Sequence, residues 1–332
     1  MIYSSVVDCI GHTPLVYLDR LFPQPGVRVI AKLESLNPAG SMKDRSARFI
    51  IEHGLRTGTM TAHSHLIESS SGNFGIAVAM VARIYNLAFT CVVDPCISPM
   101  NLRILTCLGA NIEMVNTPDD QGGYLQSRIR RVQELERVIP HSQWINQYAN
   151  QLNWQAHFYD TAGEIIADLD EPIDGIVVAV STSGTIMGLA RRLRTTFPRL
   201  KVFAVDAVGS IIFGAPAGPR RIPGIGASRV PEILCKDEID QVIHVCDHEA
   251  VQGCLDLVSY EGIFAGGSSG SVIAAIQKLA FQLPASSRLL TLLPDRGERY
   301  LDLIYQSPLT LDQEACHSVA ASGTLQASSM SI

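Results

Sequence analysis

One lysine of the 332-residue sequence stands where covalent chemistry is possible. Lys43 follows a Pro/Gly turn at residues 37–41, in which Ser41 is a candidate N-cap, so the pattern predicts that Lys43 lies in the first turn of a helix. The N–H groups and the dipole of a helix N-terminus favour a neutral amine, which can attack a carbonyl carbon and form a Schiff base. Taken alone, the segment is more typical of an ordinary surface lysine near a helix cap.

Three other loops are rich in hydroxyls and glycine, and each precedes a predicted helix. They are SSSGN at 69–73, STSGT at 181–185 and GGSSGS at 266–271. Hydroxyls and free backbone N–H groups at a helix N-terminus bind small anions such as phosphate or carboxylate. A plain helix cap, with glycines for the turn, is the alternative for each loop alone. The spacing at 181–185 matches neither a Walker loop nor a GxGxxG fingerprint, which disfavours nucleotide binding.

The elements that must position these loops are apolar strands alternating with helices. Such strands predict parallel sheets that are covered by helices on both faces. Loops that follow parallel strands meet at one edge of a sheet, so we expect the site in a cleft at the carboxyl ends of the strands. The predicted strands are 27–34, 65–70, 89–94, 111–115, 173–180, 201–207, 241–247 and 288–294, and the predicted helices include 41–58, 75–87, 124–138 and 185–197.

Composition and charge disfavour several classes of partner. The chain is 47% hydrophobic and long enough for two modest cores, so we expect two lobes. A formal charge of -6 and the lack of Lys/Arg runs disfavour a nucleic acid or an anionic membrane as partner. No stretch approaches the about 20 apolar residues of a membrane span, and a cytoplasmic location is expected. The cluster of His244, Cys246 and His248 has no second cluster to join it, so no metal is expected.

In this order, the lysine turn and the three loops resemble the cysteine synthase and cystathionine β-synthase branch of the type II pyridoxal-phosphate enzymes. The resemblance covers residues 8–305 and also includes IGHTPLV at 10–16, GIGA at 224–227 and LPDRGERY at 293–300. So many ordered matches in one chain make chance a poor explanation.

The resemblance implies an α/β, type II pyridoxal-phosphate (tryptophan synthase β-like) fold. Its two domains would each hold a mostly parallel sheet covered by helices. The larger, cofactor-binding domain would combine 1–40 with 148–315, the smaller, mobile substrate domain would span 41–147, and 316–332 would form a disordered tail. A homodimer is expected as well.

The resemblance also implies roles for individual residues. Lys43 would carry pyridoxal 5'-phosphate as a Schiff base and act as the catalytic base. Asn73 would hydrogen-bond the phenolic oxygen of the cofactor, and Ser268 would face its pyridine nitrogen. Ser70, Ser71 and Gly72 would hold the α-carboxylate of the substrate. The cofactor phosphate would be held by Ser181, Thr182, Ser183, Gly184 and Thr185.

Three segments, at 145–154, 210–214 and 224–232, resemble a narrower branch of the family. That branch condenses O-phospho-L-serine with L-glutamate and so supplies 2,3-diaminopropionate for staphyloferrin B, a siderophore. A pathway partner would be an NAD-dependent dehydrogenase that releases 2,3-diaminopropionate. No metal is implied.

The departures from cysteine synthases concern the substrate pocket. Ser181 replaces a glycine, Tyr148 replaces Phe, and Arg229 replaces an aromatic or apolar residue. Arg229 and Arg128 are candidate substrate cations, since a phosphate or a second carboxylate needs positive charge. The pair Arg220-Arg221 is a further candidate, and for Arg128 a solvated helix face is an equal alternative.

Two rival functions remain open on the sequence. An O-acetylserine or O-phosphoserine sulfhydrylase would share every catalytic residue, and only Tyr148, Ser181 and Arg229 argue against it. A cofactor-free relative that serves as a binding subunit is the other rival. The presence of Lys43, Asn73 and Ser268 counts against that rival.

Overall fold

The computed structural model describes residues 2–120 and 122–305. The predicted tail at 316–332 lies outside these ranges. No helix of the described residues is long and apolar enough to cross a membrane.

Ten strands form two sheets within the described ranges. A six-stranded sheet has the order β1-β2-β10-β7-β8-β9, and a four-stranded sheet has the order β5-β4-β3-β6. Every neighbouring pair is parallel except β1 with β2. The parallel α/β architecture predicted from the apolar strands is therefore confirmed. The strands are β1 Leu15–Tyr17, β2 Arg28–Leu33, β3 His65–Ser69, β4 Ala88–Val93, β5 Asn111–Met114, β6 Ser142–Trp144, β7 Gly175–Ala179, β8 Lys201–Ala207, β9 Gln241–Val245 and β10 Arg288–Leu293.

Helices cover both faces of each sheet, as the near-continuous burial of β4 and β10 requires. The six-stranded sheet packs one core against α8 and α9 and another against α6 and α7. The four-stranded sheet packs against α1, α2 and α3 on one face and α4 on the other. The helices are α1 Lys43–Thr57, α2 Asn73–Ile84, α3 Pro99–Cys107, α4 Leu125–Val138, α5 Gln151–Ala156, α6 Ala162–Asp168, α7 Gly184–Thr196, α8 Asp247–Asp256 and α9 Gly267–Ala280.

The chemical loops lie where the topology predicts. The SSSGN loop follows β3, the STSGT loop follows β7, and Pro294 and Asp295 follow β10. The six-stranded sheet uses residues from 15–33 and 175–293, and the four-stranded sheet uses residues from 65–144. We retain the domain bounds 1–40 plus 148–315 and 41–147 as a proposal on that basis.

Candidate active site

Lys43 is the first residue of α1, as the first-turn prediction requires. The N-cap position belongs to Met42 rather than Ser41, but the Ser41 hydroxyl accepts the Lys43 backbone N–H at 3.2 Å. Lys43 is half-buried. Burial lowers the pKa of its amine to about 8, although the nearby Asp295 acts in the opposite direction. The neutral, nucleophilic fraction at neutral pH is therefore larger than for an ordinary lysine.

A buried ionic cluster attaches the start of α1 to the larger sheet. The Arg45 Nε lies 2.7 Å from Glu34 Oε2, directly after β2, and its Nη1 lies 2.6 Å from Glu164 Oε1 in α6. Lys32 of β2 reaches the same Glu164 at 3.0 Å. Arg45 and Lys32 have no exposed side-chain surface, so removing either carboxylate would leave the buried cluster with one excess positive charge.

Asp295 connects the lysine turn to the SSSGN loop. It is 1% exposed and pairs with Ser41 as an isolated β-bridge. Its Oδ2 accepts the Asn73 Nδ2–H at 2.6 Å and the hydroxyl of Tyr300. Arg299 donates to the Asn73 Oδ1, so the orientation of the Asn73 amide is fixed on both sides.

The STSGT loop at the N-terminus of α7 has the features expected of an anion site. Ser183 has a left-handed φ of 67°, and its buried hydroxyl has no hydrogen-bond partner in the described part of the chain. The first N–H groups of α7 have no acceptor within the helix. Gly184 has no room for a side chain, because a Cβ would collide with the Asn153 amide. These features suit a phosphate that approaches the backbone closely.

A buried polar layer joins this loop to the lysine helix. Asn153 Oδ1 accepts the Ser46 hydroxyl at 2.8 Å, and its Nδ2 donates to the Gln147 carbonyl at 2.7 Å and to Thr182 Oγ1 at 3.3 Å. His157 lies beside it, with Nε2 3.3 Å from Thr185 Oγ1. Burial holds the pKa of His157 well below its usual value, so the ring is neutral.

The GGSSGS loop opens α9 with buried hydroxyls. Ser268 is 5% exposed, and its hydroxyl has no partner among the described residues. The Ser269 hydroxyl is also buried and unpaired there. Gly266 donates its N–H to the Asp295 carbonyl at 3.1 Å, which places this loop against the lysine turn.

The predicted donor-binding residues lie together at the start of α2. The Ser70 hydroxyl accepts the Gly75 N–H at 3.0 Å, and the Ser71 hydroxyl accepts from Arg128 Nη1 at 2.7 Å. Gly72 faces open space, because a Cβ there would meet no atom within 4 Å. Arg128 also lies 3.3 Å from Asp94 Oδ2, so it packs on the SSSGN loop and not on a solvated helix face.

The residues predicted to bind the acceptor substrate form a second wall of the site, the acceptor wall, which consists of Tyr148, Ser181 and Arg229. The Arg229 guanidinium lies 5.0 Å from the centre of the Tyr148 ring and pairs with Glu232. The Tyr148 phenol has no hydrogen-bond partner in the described ranges, and burial raises its pKa. The Ser181 hydroxyl donates to the Gly226 carbonyl at 3.2 Å, so it faces an incoming group mainly as an acceptor.

Taken together, the site fits a small ligand that carries an aldehyde and a phosphate. It offers an amine of lowered pKa and a helix N-terminus with an orphan hydroxyl. No group of three or more metal-ligating side chains occurs among the described residues.

Several residues that shape this site had no predicted role. The motif LPDRGERY at 293–300 contains Asp295, Arg299 and Tyr300, but no role was predicted for them. Asn153 and His157 lie in a helix. Asn153 is more than 100 residues from its partner Ser46, and Asp295 is more than 100 residues from its partner Asn73. No local pattern in the sequence could therefore have predicted these contacts.

Comparison with known proteins agrees with this geometry. Residues 6–295 match the protein family described as pyridoxal-phosphate dependent enzyme. The chain is 56% identical over 335 residues to an N-(2-amino-2-carboxyethyl)-L-glutamate synthase of Ralstonia nicotianae, covering 100% of this chain and 97% of that one. An enzyme of the same name from Cupriavidus metallidurans is 57% identical over 308 residues, covering 92% and 90%. A crystal structure of an O-acetylserine dependent cystathionine beta-synthase from Helicobacter pylori has a TM-score of 0.86 at 34% identity, covering 92% and 99%.

Proposed function

Because the chain belongs to the family of pyridoxal-phosphate dependent enzymes, we propose that it condenses O-phospho-L-serine with L-glutamate. The products are N-(2-amino-2-carboxyethyl)-L-glutamate and phosphate. The enzyme uses pyridoxal 5'-phosphate and has the type II α/β fold, as the resemblance implied. The observation that carries the proposed reaction is the match over the whole chain with two synthases of that name.

The first half of the reaction removes phosphate from the donor. Bound pyridoxal phosphate supplies an electron sink for the negative charge that develops at the donor Cα. Lys43, with a pKa of about 8, is suited to take the Cα proton and to return it later near neutral pH. Ser70, Ser71 and Gly72 hold the donor α-carboxylate, and Arg128 adds positive charge directly behind Ser71.

The second half joins the amine of glutamate to the donor Cβ. Glutamate brings two carboxylates, which must be held while its amine is aligned at near-attack distance. Tyr148 offers an unpartnered phenol, and Arg229 lies over its ring. Sulfide, the acceptor of a cysteine synthase, has no carboxylate for these residues to hold.

The rival sulfhydrylase function is tested by product identity. The holoenzyme is incubated with O-phosphoserine and offered glutamate or sulfide separately, and the products are identified by mass. We expect the glutamate adduct at the higher rate. Efficient formation of cysteine with no glutamate adduct would assign the protein as a cysteine synthase instead.

We further propose a cytoplasmic homodimer that supplies 2,3-diaminopropionate for siderophore or related biosynthesis. The support is the family resemblance and the names of the two relatives. The class of reaction that would release 2,3-diaminopropionate from the product is an NAD-dependent oxidation. Light scattering of the holoenzyme tests the dimer, and a monomer at all concentrations would contradict it.

A further inference from the structure

Three arginines act electrostatically on the phenol of Tyr148, and two of them already have carboxylate partners. Arg128 pairs with Asp94 at 3.3 Å, and Arg229 pairs with Glu232. The third is Arg220, whose charge also acts on the phenol. Within residues 2–120 and 122–305, no carboxylate oxygen lies within 4 Å of its guanidinium. Arg220 is therefore the one of the three without a direct ion pair in these ranges, although its charge also acts on the buried carboxylate of Asp206.

The guanidinium of Arg220 makes one side-chain hydrogen bond among the described residues. Its Nη2 donates to the Ser228 hydroxyl at 2.7 Å, while its Nε is buried and has no partner in the described structure. A buried guanidinium nitrogen without an acceptor is costly, because the group has lost water without gaining a bond. Such a donor suits an acceptor oxygen brought by a ligand.

Arg220 is packed directly behind the predicted acceptor wall. A Cβ on Gly226 would lie 2.9 Å from Arg220 Nη1, so the guanidinium lies close to the Gly226 backbone. The Gly226 carbonyl accepts the Ser181 hydroxyl at 3.2 Å, and the Gly226 N–H donates to the Val180 carbonyl at 2.8 Å. Gly226 thus separates the Arg220 guanidinium from Ser181, the first residue of the STSGT loop.

The segment that carries Arg220 is held in place before any ligand binds. Gly218 donates its N–H to the Gly209 carbonyl at 3.0 Å, and Ala227 donates to the Ser210 hydroxyl at 3.1 Å. The next residue, Arg221, donates its backbone N–H to Asp247 at 2.9 Å. A cation fixed in this way loses little entropy when it binds an anion.

We propose that Arg220 is a specificity-determining residue that receives the side-chain carboxylate of the acceptor amino acid. This inference rests on the proposed function. Arg128 serves the donor side through Ser71, and Arg229 is occupied by Glu232, so Arg220 is the guanidinium available for a second carboxylate. Planar, two-pronged contact with a carboxylate is the geometry that guanidinium groups favour.

The test compares glutamate with glutamine, which has nearly the same shape but no side-chain charge. In the holoenzyme, Arg220→Gln should lower the ratio of kcat/KM for glutamate to that for glutamine by about 10- to 100-fold, as the loss of a charge-assisted contact implies. Arg221→Gln is the matched control, since Arg221 is exposed, and it should leave the ratio unchanged. Arg220→Lys, which keeps the charge, should fall between the wild type and Arg220→Gln.

Two further measurements separate this inference from the proposed function. Phosphate release from O-phosphoserine in the absence of an acceptor should be equal in the wild type and Arg220→Gln. Calorimetric titration of glutamate into the holoenzyme should show weaker binding by Arg220→Gln than by the wild type or Arg221→Gln. A wild type that uses neither amino acid would overturn the proposed function. A wild type that prefers glutamate, with the same preference in folded Arg220→Gln and Arg220→Lys, would overturn only the role of Arg220.

Discussion

Replacing Asn153 with alanine should weaken both the fold and the binding of the cofactor. The Asn153 side chain makes two short hydrogen bonds, to Ser46 and Gln147, and one longer bond to Thr182. Asn153 is 2% exposed, so the variant leaves the Gln147 carbonyl and the Thr182 hydroxyl without their partner, while the Ser46 hydroxyl keeps only a 3.3 Å contact with His157 Nε2. At about 1–3 kcal/mol for each buried group left unsatisfied, we expect the free energy of unfolding to fall by about 2–4 kcal/mol.

The effect on the cofactor follows from the position of Asn153 behind the STSGT loop. Its amide packs against Gly184 and contacts Thr182, two residues predicted to hold the phosphate. Losing this support should raise the dissociation constant of pyridoxal phosphate about tenfold, equivalent to ~1.4 kcal/mol. The measurements are urea unfolding and titration of the apoenzyme with the cofactor, followed by absorbance.

Asn150→Ala is a matched control from the same helix. The Asn150 side chain caps α5 by accepting the Leu152 N–H and donates to the Ile145 carbonyl, so its hydrogen bonds involve neither the STSGT loop nor α1. It should cost about 1 kcal/mol of stability, as for other N-caps, with unchanged cofactor affinity. Equal cofactor affinity in the Asn153→Ala and Asn150→Ala variants would refute the reasoning.

Three other predictions concern single residues of the site. The rate at which the apoenzyme attaches pyridoxal phosphate should rise with pH through about 8, because only the neutral amine of Lys43 attacks; a midpoint near that of an ordinary lysine would contradict the lowered pKa. Arg128→Ala and Arg229→Ala should be compared on O-phosphoserine and O-acetylserine; Arg128→Ala, on the donor side, should raise the KM of O-phosphoserine about 10- to 100-fold and more than Arg229→Ala does, and equal use of both donors by the wild type would argue against a phosphate site. Ser181→Gly or Tyr148→Phe should leave phosphate release intact but slow the glutamate half-reaction in stopped-flow measurements, and unchanged kinetics with glutamate would remove both hydroxyls from the acceptor site.

The sequence predicted eight of the ten strands of the described chain, because each of the eight carries a run of apolar residues. The two that it missed, β1 and β6, have three residues each, which is too short for a periodic pattern. The predicted start of the helix at 185–197 differs from α7 by one residue. A local hydrophobic pattern therefore predicts the main helices and strands, whereas short edge strands form only by pairing with strands that are distant in sequence.

The candidate site divides in the same way. The loops that touch ligands combine glycine and hydroxyl residues in consecutive positions, so they are visible in the sequence. Asn153 and His157 are isolated polar residues in a helix, and only packing against Ser46 and Thr185 gives them a function. The sequence left Arg128 as either a substrate cation or part of a solvated helix face. Its contacts with Asp94 and Ser71, which lie on other elements, exclude the solvated face.

The ionic cluster around Arg45 has a consequence for how the cleft could close. It fixes the first turn of α1, and with it Lys43, to β2 and α6 on the larger sheet. Ser71 and Arg128 instead ride on the elements of the four-stranded sheet. Because the body of α1 packs on the four-stranded sheet, the Arg45 cluster places Lys43 at the junction of the two sheets, so a relative movement of the sheets would have to strain or break buried ion pairs before the lysine could move away from the STSGT loop.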